Sequence, residues 1–262
     1  MRTRFYDSLT NGEVSDYLRH NDLLFLPVGT VEMHGEMPLG CEHVLPLAVA
    51  VQMAELADAL VLPHLAYFYP GATAIGRGTV TVSPSAGIAY LKEVSRSLSR
   101  QGFRRQVFLS AHGPASVTIA AAVREIFEET TGPTVYLDLV HHVGERDFNT
   151  LLWGAYHLLG RLDEIPLEQK PRAGQTPFPE AVGKLLQARL QVGYYFGDES
   201  QHGWWPERTL TPDERLARAE QGARLIAEMV TEIDPCGLVE NMKELDKYIQ
   251  HHVVPRHGER LR

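Results

Sequence analysis

A short apolar run that leads directly into a glycine-rich loop most constrains what this chain can fold into. The run covers residues 24–28 (Leu-Phe-Leu-Pro-Val), and the loop after it carries Glu32 and His34. Glu42 and His43 follow within the next ten residues. Carboxylates and imidazoles are ligands of hard and borderline divalent metals. The pattern predicts a strand that delivers metal ligands at its carboxyl end.

Apolar runs alternate with helical segments through the first half of the chain. Strands are predicted at residues 23–28, 60–62, 106–110 and 134–139, with a further extended segment at 76–82. Helices are predicted at residues 45–60, 84–101 and 116–129. This alternation favours an α/β fold in which helices cover both faces of a mostly parallel sheet, a layered αβα sandwich. Ligands of such folds gather at the carboxyl ends of the strands.

Capping residues mark the ends of two predicted helices. Ser83 can accept a backbone N–H with Pro84 at the first helical position, and Gly102 suits a left-handed C-terminal position. Residues 211–214 (Thr-Pro-Asp-Glu) form the capping box of a later helix.

The second half of the chain is less regular. Residues 162–179 are polar and contain four prolines, which predicts a long surface excursion or lid. Helix is predicted again at 180–190. An aromatic loop at 193–206 then holds Glu199 and His202, and we interpret it as a second functional candidate.

Length and composition predict one domain over residues 1–262, because 44% hydrophobic content supports a substantial core. The net charge is −8 and the basic residues are scattered, which argues against a nucleic-acid or membrane-surface partner and favours a small-molecule substrate. The two cysteines, Cys41 and Cys236, are far apart, as a reducing cytoplasm tolerates. No apolar run reaches the roughly 18 residues that a spanning helix needs.

Three short motifs connect these observations to a known family. Residues 27–35 follow the pattern Pro-x-Gly-x-x-Glu-x-His-Gly, residues 38–42 read Pro-Leu-Gly-Cys-Glu, and residues 110–115 read Ser-Ala-His-Gly-Pro-Ala. The sequence resembles the creatininase family of metal-dependent amidohydrolases. That family typically shows the first motif unchanged, then Pro-Leu-Gly-Thr-Asp, and later Asn-Gly-His-Gly-Gly-Asn. The similarity spans residues 23–131 and returns at 218–222.

The resemblance implies a two-metal hydrolase with zinc or manganese, or iron as a third option, on a layered α/β fold that often assembles into a hexamer. Carried over by position, Glu32 binds one metal, His34 binds the other, Glu42 bridges them and His112 completes one coordination sphere. Two ions that share one water lower its pKa and polarise a carbonyl.

Two ligand assignments stay open where the chain departs from the family pattern. The bridging aspartate corresponds to Glu42 if the loop is one residue shorter, or to His43 if no gap is allowed. We prefer Glu42 because a bridge between two cations needs two charged oxygens. The carboxylate that some members place two residues after the third histidine is Pro114 here. Glu199 is our first choice for that ligand, and Glu180 is the reserve.

We therefore expect a hydrolase in which metal-activated water attacks a carbonyl. His202 is the candidate proton donor to the leaving group, with Glu199 beside it as an acid or base. The expected substrate is small, polar and cyclic: a cyclic amide, or a keto-inositol such as 3-dehydro-scyllo-inosose. A metal-dependent isomerase and a metal-binding protein without turnover are the alternatives.

Overall fold

The computed structural model describes residues 1–170, 176–188 and 192–258. Within these ranges four strands form one sheet in the order β2-β1-β3-β4. Each neighbouring pair is parallel. The strands are β1 (Leu23–Pro27), β2 (Leu60–Val61), β3 (Arg105–Ser110) and β4 (Thr134–Asp138). The predicted parallel sheet is confirmed.

Helices fill the chain between and after the strands. They are α1 (Asn11–Leu18), α2 (Cys41–Ala57), α3 (Pro84–Gln101), α4 (Ser116–Thr130), α5 (Leu139–Val143), α6 (Phe148–Leu158), α7 (Glu180–Gln187), α8 (Pro212–Ile233), α9 (Pro235–Tyr248) and α10 (Val254–His257). A π-helical segment, Ile249–Val253, joins α9 to α10. Short 3-10 turns lie at Tyr6–Ser8, Gly71–Thr73, Gly113–Ala115, Leu162–Glu164 and Glu199–Gln201. No helix in the described ranges is long and apolar enough to cross a membrane.

Alternate residues of β1 pack into two separate cores. Leu23 and Phe25 are fully buried against residues of α2, α6, α8 and α9, whereas Leu24 and Leu26 are fully buried against residues of α1, α3 and α4. Side chains on a strand alternate between its two faces, so each face of the sheet has its own helical layer. Burying each of these side chains stabilises the fold by roughly 1.5–3 kcal/mol. The αβα sandwich is confirmed.

The predicted caps are confirmed as well. The Ser83 hydroxyl accepts the Ala86 N–H with Pro84 at the first helical position of α3, and Gly102 ends that helix with φ of 112°. Thr211 and Glu214 form a reciprocal capping box at the start of α8.

The further extended segment predicted at 76–82 is wrong, because these residues form no strand. Instead they lie along the loop after β1. The Val80 N–H donates to the Val31 carbonyl at 2.9 Å, and the Met33 N–H donates to the Thr79 hydroxyl at 3.0 Å. Isolated bonds to a loop replace the ladder that a strand needs. The predicted helix at 180–190 corresponds to α7, with 189–190 outside the described residues, as are 171–175 of the proline-rich excursion.

Helices α6 and α8 touch through their backbones at two glycines. A Cβ atom on Gly154 would lie 2.1 Å from the Gly222 carbonyl carbon, and one on Gly222 would lie 2.0 Å from the Thr150 carbonyl oxygen. Residues 218–222 are those in which the sequence resemblance returns. Their glycine allows α8 to pack directly on α6.

Gly154→Ala is therefore expected to lower the free energy of unfolding by about 1–3 kcal/mol, because the methyl group forces the two helices apart. Gly183→Ala in the exposed helix α7 is the control, since a Cβ there meets nothing closer than 4.0 Å. The control should raise stability by about 0.5–1 kcal/mol through helix propensity. Urea unfolding of both variants measures the difference, and equal stabilities would contradict the close contact.

Candidate metal centre

Gly29 brings the loop after β1 against the first turn of α2. A Cβ atom at this position would lie 2.4 Å from the Cα of His43 and 2.8 Å from the carbonyl oxygen of Glu42. Only glycine permits so close an approach between two backbones. The Glu32 N–H also donates to the Leu39 carbonyl at 2.8 Å. The loop and the helix start are thus held together, and Glu32 and Glu42 reach the same site.

Five side chains from four segments form a closed ring, which we call the ligand ring: Glu32, His34, Glu42, His112 and His202. Around the ring, His202 Nε2 lies 3.3 Å from Glu32 Oε1, and Glu32 Oε2 lies 3.8 Å from His112 Nε2. His112 Nδ1 lies 3.7 Å from Glu42 Oε2, and Glu42 Oε1 lies 3.4 Å from His34 Nδ1. The imidazole centroids of His34 and His202 are 4.8 Å apart. Each carboxylate therefore contacts two histidines through different oxygens.

Four side chains of the ligand ring are buried and His202 is partly buried, and six polar atoms of the ring lack hydrogen-bond partners among the described residues. Glu32 is fully buried, and neither of its carboxylate oxygens has a hydrogen-bond partner among the described residues. The same is true of Glu42 Oε2, His34 Nδ1, His112 Nε2 and His202 Nε2. Buried polar atoms without partners cost several kcal/mol unless a ligand satisfies them. Four members of the ring can each offer a ligand atom within 4.8 Å of the others. This mixed nitrogen and oxygen set fits zinc, manganese or iron.

Burial and neighbouring charges set opposite pKa shifts in the ring. Burial lowers the pKa of His34 more strongly than the Glu42 charge raises it. Burial also opposes ionisation of Glu42 and protonation of His112, but their mutual contact outweighs it, lowering the pKa of Glu42 and raising that of His112. The lowered pKa values favour an ionised Glu42 and a neutral His34, the forms in which both groups bind metal, whereas the raised pKa favours a protonated His112, which must lose its proton before it can bind a metal.

A backbone bridge between two loops brings His34 and His202 together. The Glu36 N–H donates to the Trp204 carbonyl at 2.9 Å, and the Trp204 N–H donates to the His34 carbonyl at 3.3 Å. A Cβ on Gly203, whose φ is +92°, would lie 2.1 Å from the His34 carbonyl carbon. Trp204 packs edge-on against Trp153 at 5.6 Å, so it anchors this bridge in the core.

Two of the open assignments lie outside the ring. His43 is buried away from it, where burial and the charges of His64 and Arg161 lower its pKa to about 4. Glu180 is exposed on α7 and pairs with Lys184 at 2.7 Å. Of the two alternatives for the bridge, the structure brings Glu42 and not His43 to the other ligands.

Glu199, the first choice for the final ligand, is exposed and does not join the ring. His202, which we expected to act as a proton donor, lies in the ring instead. The sequence carries a signal for this residue, because His202-Gly203 repeats the His-Gly pair found at His34-Gly35 and His112-Gly113.

A cavity of about 530 Å³ is lined by residues that flank or contact members of the ligand ring, although no ring side chain itself lines it. Phe196 lines the cavity and stacks on the His202 imidazole with a centroid distance of 5.1 Å. Met33, which lies between Glu32 and His34 in the sequence, also lines the cavity. The other lining residues are Ile75, Gly76, Arg77, Gly197, Asp198, Glu199 and Ser200. The cavity is therefore large enough for a small molecule and mixes apolar and charged walls.

Comparison with known proteins agrees with this geometry. The creatininase family model, described as creatinine amidohydrolase, matches residues 7–164, more than half of the chain. This chain belongs to the creatininase family. The match includes Glu32, His34, Glu42 and His112, whereas His202 lies beyond it.

Two curated relatives are similar to this creatininase-family chain. A 3-dehydro-scyllo-inosose hydrolase of Thermotoga maritima is 30% identical over 56% of this chain and 48% of its own length. A creatinine amidohydrolase of Pseudomonas putida is 33% identical over 66% of this chain and 64% of its own length. The chain thus spans less than two thirds of either relative.

Solved creatininases share the fold. A crystal structure of creatinine amidohydrolase superposes with a TM-score of 0.65 at 22% identity, covering 95% of this chain and 98% of that one. A manganese form of creatininase has a TM-score of 0.59 at 21% identity, covering 89% and 100%. A mutant creatininase of the Zn-Zn type has a TM-score of 0.59 at 22% identity, covering 90% and 100%. At these identities the similarity establishes the layered fold.

Removing a ligand from the ring is expected to reduce bound metal. Glu32→Gln and His112→Ala should each lower the metal content per chain after equilibration with zinc or manganese, because each removes a negative charge or a donor nitrogen. His251→Ala is the control, since this exposed residue lies in the π-helical segment far along the chain. Inductively coupled plasma mass spectrometry of the dialysed proteins measures their metal content. Unchanged content in both ring variants would contradict the assignment.

Gly203→Ala should reduce metal affinity although the residue contacts no metal, because its methyl group separates the His34 and His202 loops. Gly160→Ala controls for backbone strain: its φ is +66°, but a Cβ there meets no atom within 4 Å. Competition with a chelator measures zinc affinity in both variants. The bridge would be dispensable if Gly203→Ala and Gly160→Ala bound zinc equally well.

Proposed function

We propose that this chain is a metal-dependent hydrolase whose ligand ring activates water for attack on a carbonyl of a small polar substrate. The observation that carries the proposal is the ring itself: two buried carboxylates and three imidazoles converge with unpartnered atoms beside a cavity. The hydrolase names of the two curated relatives support the reaction class.

We further propose that the ring holds two divalent ions, zinc or manganese, with iron as the third option. Glu32 contacts His202 and His112 through different oxygens, and Glu42 does the same with His34 and His112. This arrangement suits a pair of ions better than a single one, because the two oxygens of each carboxylate are directed at different histidines. The manganese and Zn-Zn forms of creatininase with the same fold support this choice. When bound, such ions lower the pKa of water and polarise a carbonyl.

The residues around the ring orient the substrate and control water. Phe196 covers one face of the His202 imidazole, which keeps that ligand in place and limits solvent on this side. Glu199 lies on the cavity wall three residues before His202. We propose that Glu199 holds and transfers the proton that the leaving group needs, since His202 itself belongs to the ring.

For the substrate we propose a small cyclic carbonyl compound, either a cyclic amide or a keto-inositol such as 3-dehydro-scyllo-inosose. A cavity of about 530 Å³ accommodates a compound of this size. Apolar walls at Met33 and Phe196 suit a ring face, whereas Glu199 and Ser200 offer groups for hydroxyl or amide contacts.

Reconstitution with metal tests this function directly. The protein is dialysed against chelator, restored with zinc, manganese or iron one at a time, and given lactams, formamides and cyclic ketones. We expect a cyclic substrate to give a ring-opened product heavier by one water, and a formamide to give formate and the free amine. Glu32→Gln should lower kcat by at least about a hundredfold. His251→Ala should retain activity.

Mass spectrometry separates the alternatives. A product of unchanged mass would identify a metal-dependent isomerase. Metal binding with no product from any compound would favour a metal-binding protein without turnover.

A further inference from the structure

The turn at Gly76-Arg77-Gly78 packs against the loop after β1, which carries Glu32 and His34, on both sides of Arg77. A Cβ on Gly76 would lie 2.1 Å from Met33 Sδ, and one on Gly78, whose φ is +84°, would lie 2.7 Å from a Leu39 methyl carbon. Both glycines therefore pack directly on the segment that carries the metal ligands.

Two hydrogen bonds fix the chain just after this turn. The Thr79 hydroxyl accepts the Met33 N–H at 3.0 Å, and the Val80 N–H donates to the Val31 carbonyl at 2.9 Å. Because Met33 lies between Glu32 and His34, the position of Arg77 is set relative to the ring. These contacts hold the backbone at Arg77, and its exposed side chain extends from this fixed point along the cavity.

Arg77 carries the cationic side chain among the residues that line the cavity, yet it forms no ion pair or hydrogen bond within residues 1–170, 176–188 and 192–258. Glu199 lines the same cavity and does not pair with it there. Asp198 also lines the cavity, but its carboxylate accepts hydrogen bonds from the Ser200 N–H, at 2.7 Å, and from the Thr176 hydroxyl. The guanidinium is thus the cation that remains available to a bound molecule.

We propose that Arg77 binds a carboxylate on the substrate, at the end away from the reacting carbonyl. The inference rests on the proposed function, because it assigns the cavity beside the ligand ring to the substrate. A guanidinium matches a carboxylate through two parallel hydrogen bonds, which fixes orientation as well as affinity. Arg77 is then a specificity-determining residue that separates anionic cyclic compounds from neutral ones of the same shape. Within the proposed substrate class it selects a cyclic amide that carries a carboxylate over the uncharged keto-inositol.

Matched lactams test the charge preference independently of turnover. The probes are 5-oxoproline, which carries a carboxylate, and 5-oxoprolinamide, its neutral counterpart. Isothermal titration calorimetry of the zinc-loaded protein should show about tenfold tighter binding of the acid. Arg77→Gln should remove this preference, Arg77→Lys should keep part of it, and Arg77→Glu should reverse it.

Arg100→Gln is the matched control. This exposed arginine in the last turn of α3 also has no ion pair within the described residues. It lies close in sequence to the amino end of β3, whereas the ligand ring lies beyond the carboxyl ends of β1 and β3. The preference should survive this change. No measurable binding of 5-oxoproline, equal binding of the two probes, or a preference unchanged in Arg77→Gln would each overturn the proposal.

Ring opening, followed by mass spectrometry, is scored separately from binding. A charge preference that depends on Arg77 without ring opening of the lactams would leave the anion site standing and count against the hydrolytic reaction. Ring opening at equal rates for both probes, with equal affinities, would support the reaction and overturn the role of Arg77.

Discussion

The burial of Glu32 and Glu42 among three histidines is the interaction on which the rest of this structure depends. A carboxylate removed from water with no hydrogen-bond donor is strongly unfavourable, and Glu32 is fully buried with both oxygens unpartnered within the described residues. Divalent cations held between these groups would satisfy the unpartnered atoms of the ligand ring together. The surrounding fold is built to hold that arrangement, from the packing of α2 against β1 to the loop that carries His202.

Close backbone contacts at glycines position the ligands. Gly29 brings β1 to α2, and Gly203 brings the loop of His202 to that of His34. Gly76 brings the turn with Arg77 to Met33. In each case a Cβ atom would collide with a neighbouring main chain or side chain. The lack of a side chain at these glycines therefore allows the segments of the site to approach each other. The αβα layers supply a rigid frame, and these contacts set the distances inside it.

Sequence patterns predicted those strands and helix ends that depend only on residues close together in the chain. The run at Leu23–Pro27 and the caps at Ser83 and Thr211 depend on neighbouring residues, so the sequence alone sufficed. The segment at 76–82 alternates like a strand, but its partners are in a loop, which no local pattern reveals. Helix α6 was not predicted: it is strongly apolar overall and Thr150–Tyr156 are all buried, so it lacks the broad polar face of a surface helix. In the site, the sequence motifs identified Glu32, His34, Glu42 and His112. His202 joins them only through a contact between two loops that are distant in sequence.

The most direct measurement of the central claim is anomalous diffraction at the zinc and manganese absorption edges from one crystal of the metal-loaded protein. Our account predicts two anomalous peaks inside the ligand ring, each within bonding distance of at least one carboxylate and one imidazole of the ring. Peaks confined to other parts of the molecule, or a ring without any peak in protein shown to contain metal, would contradict it.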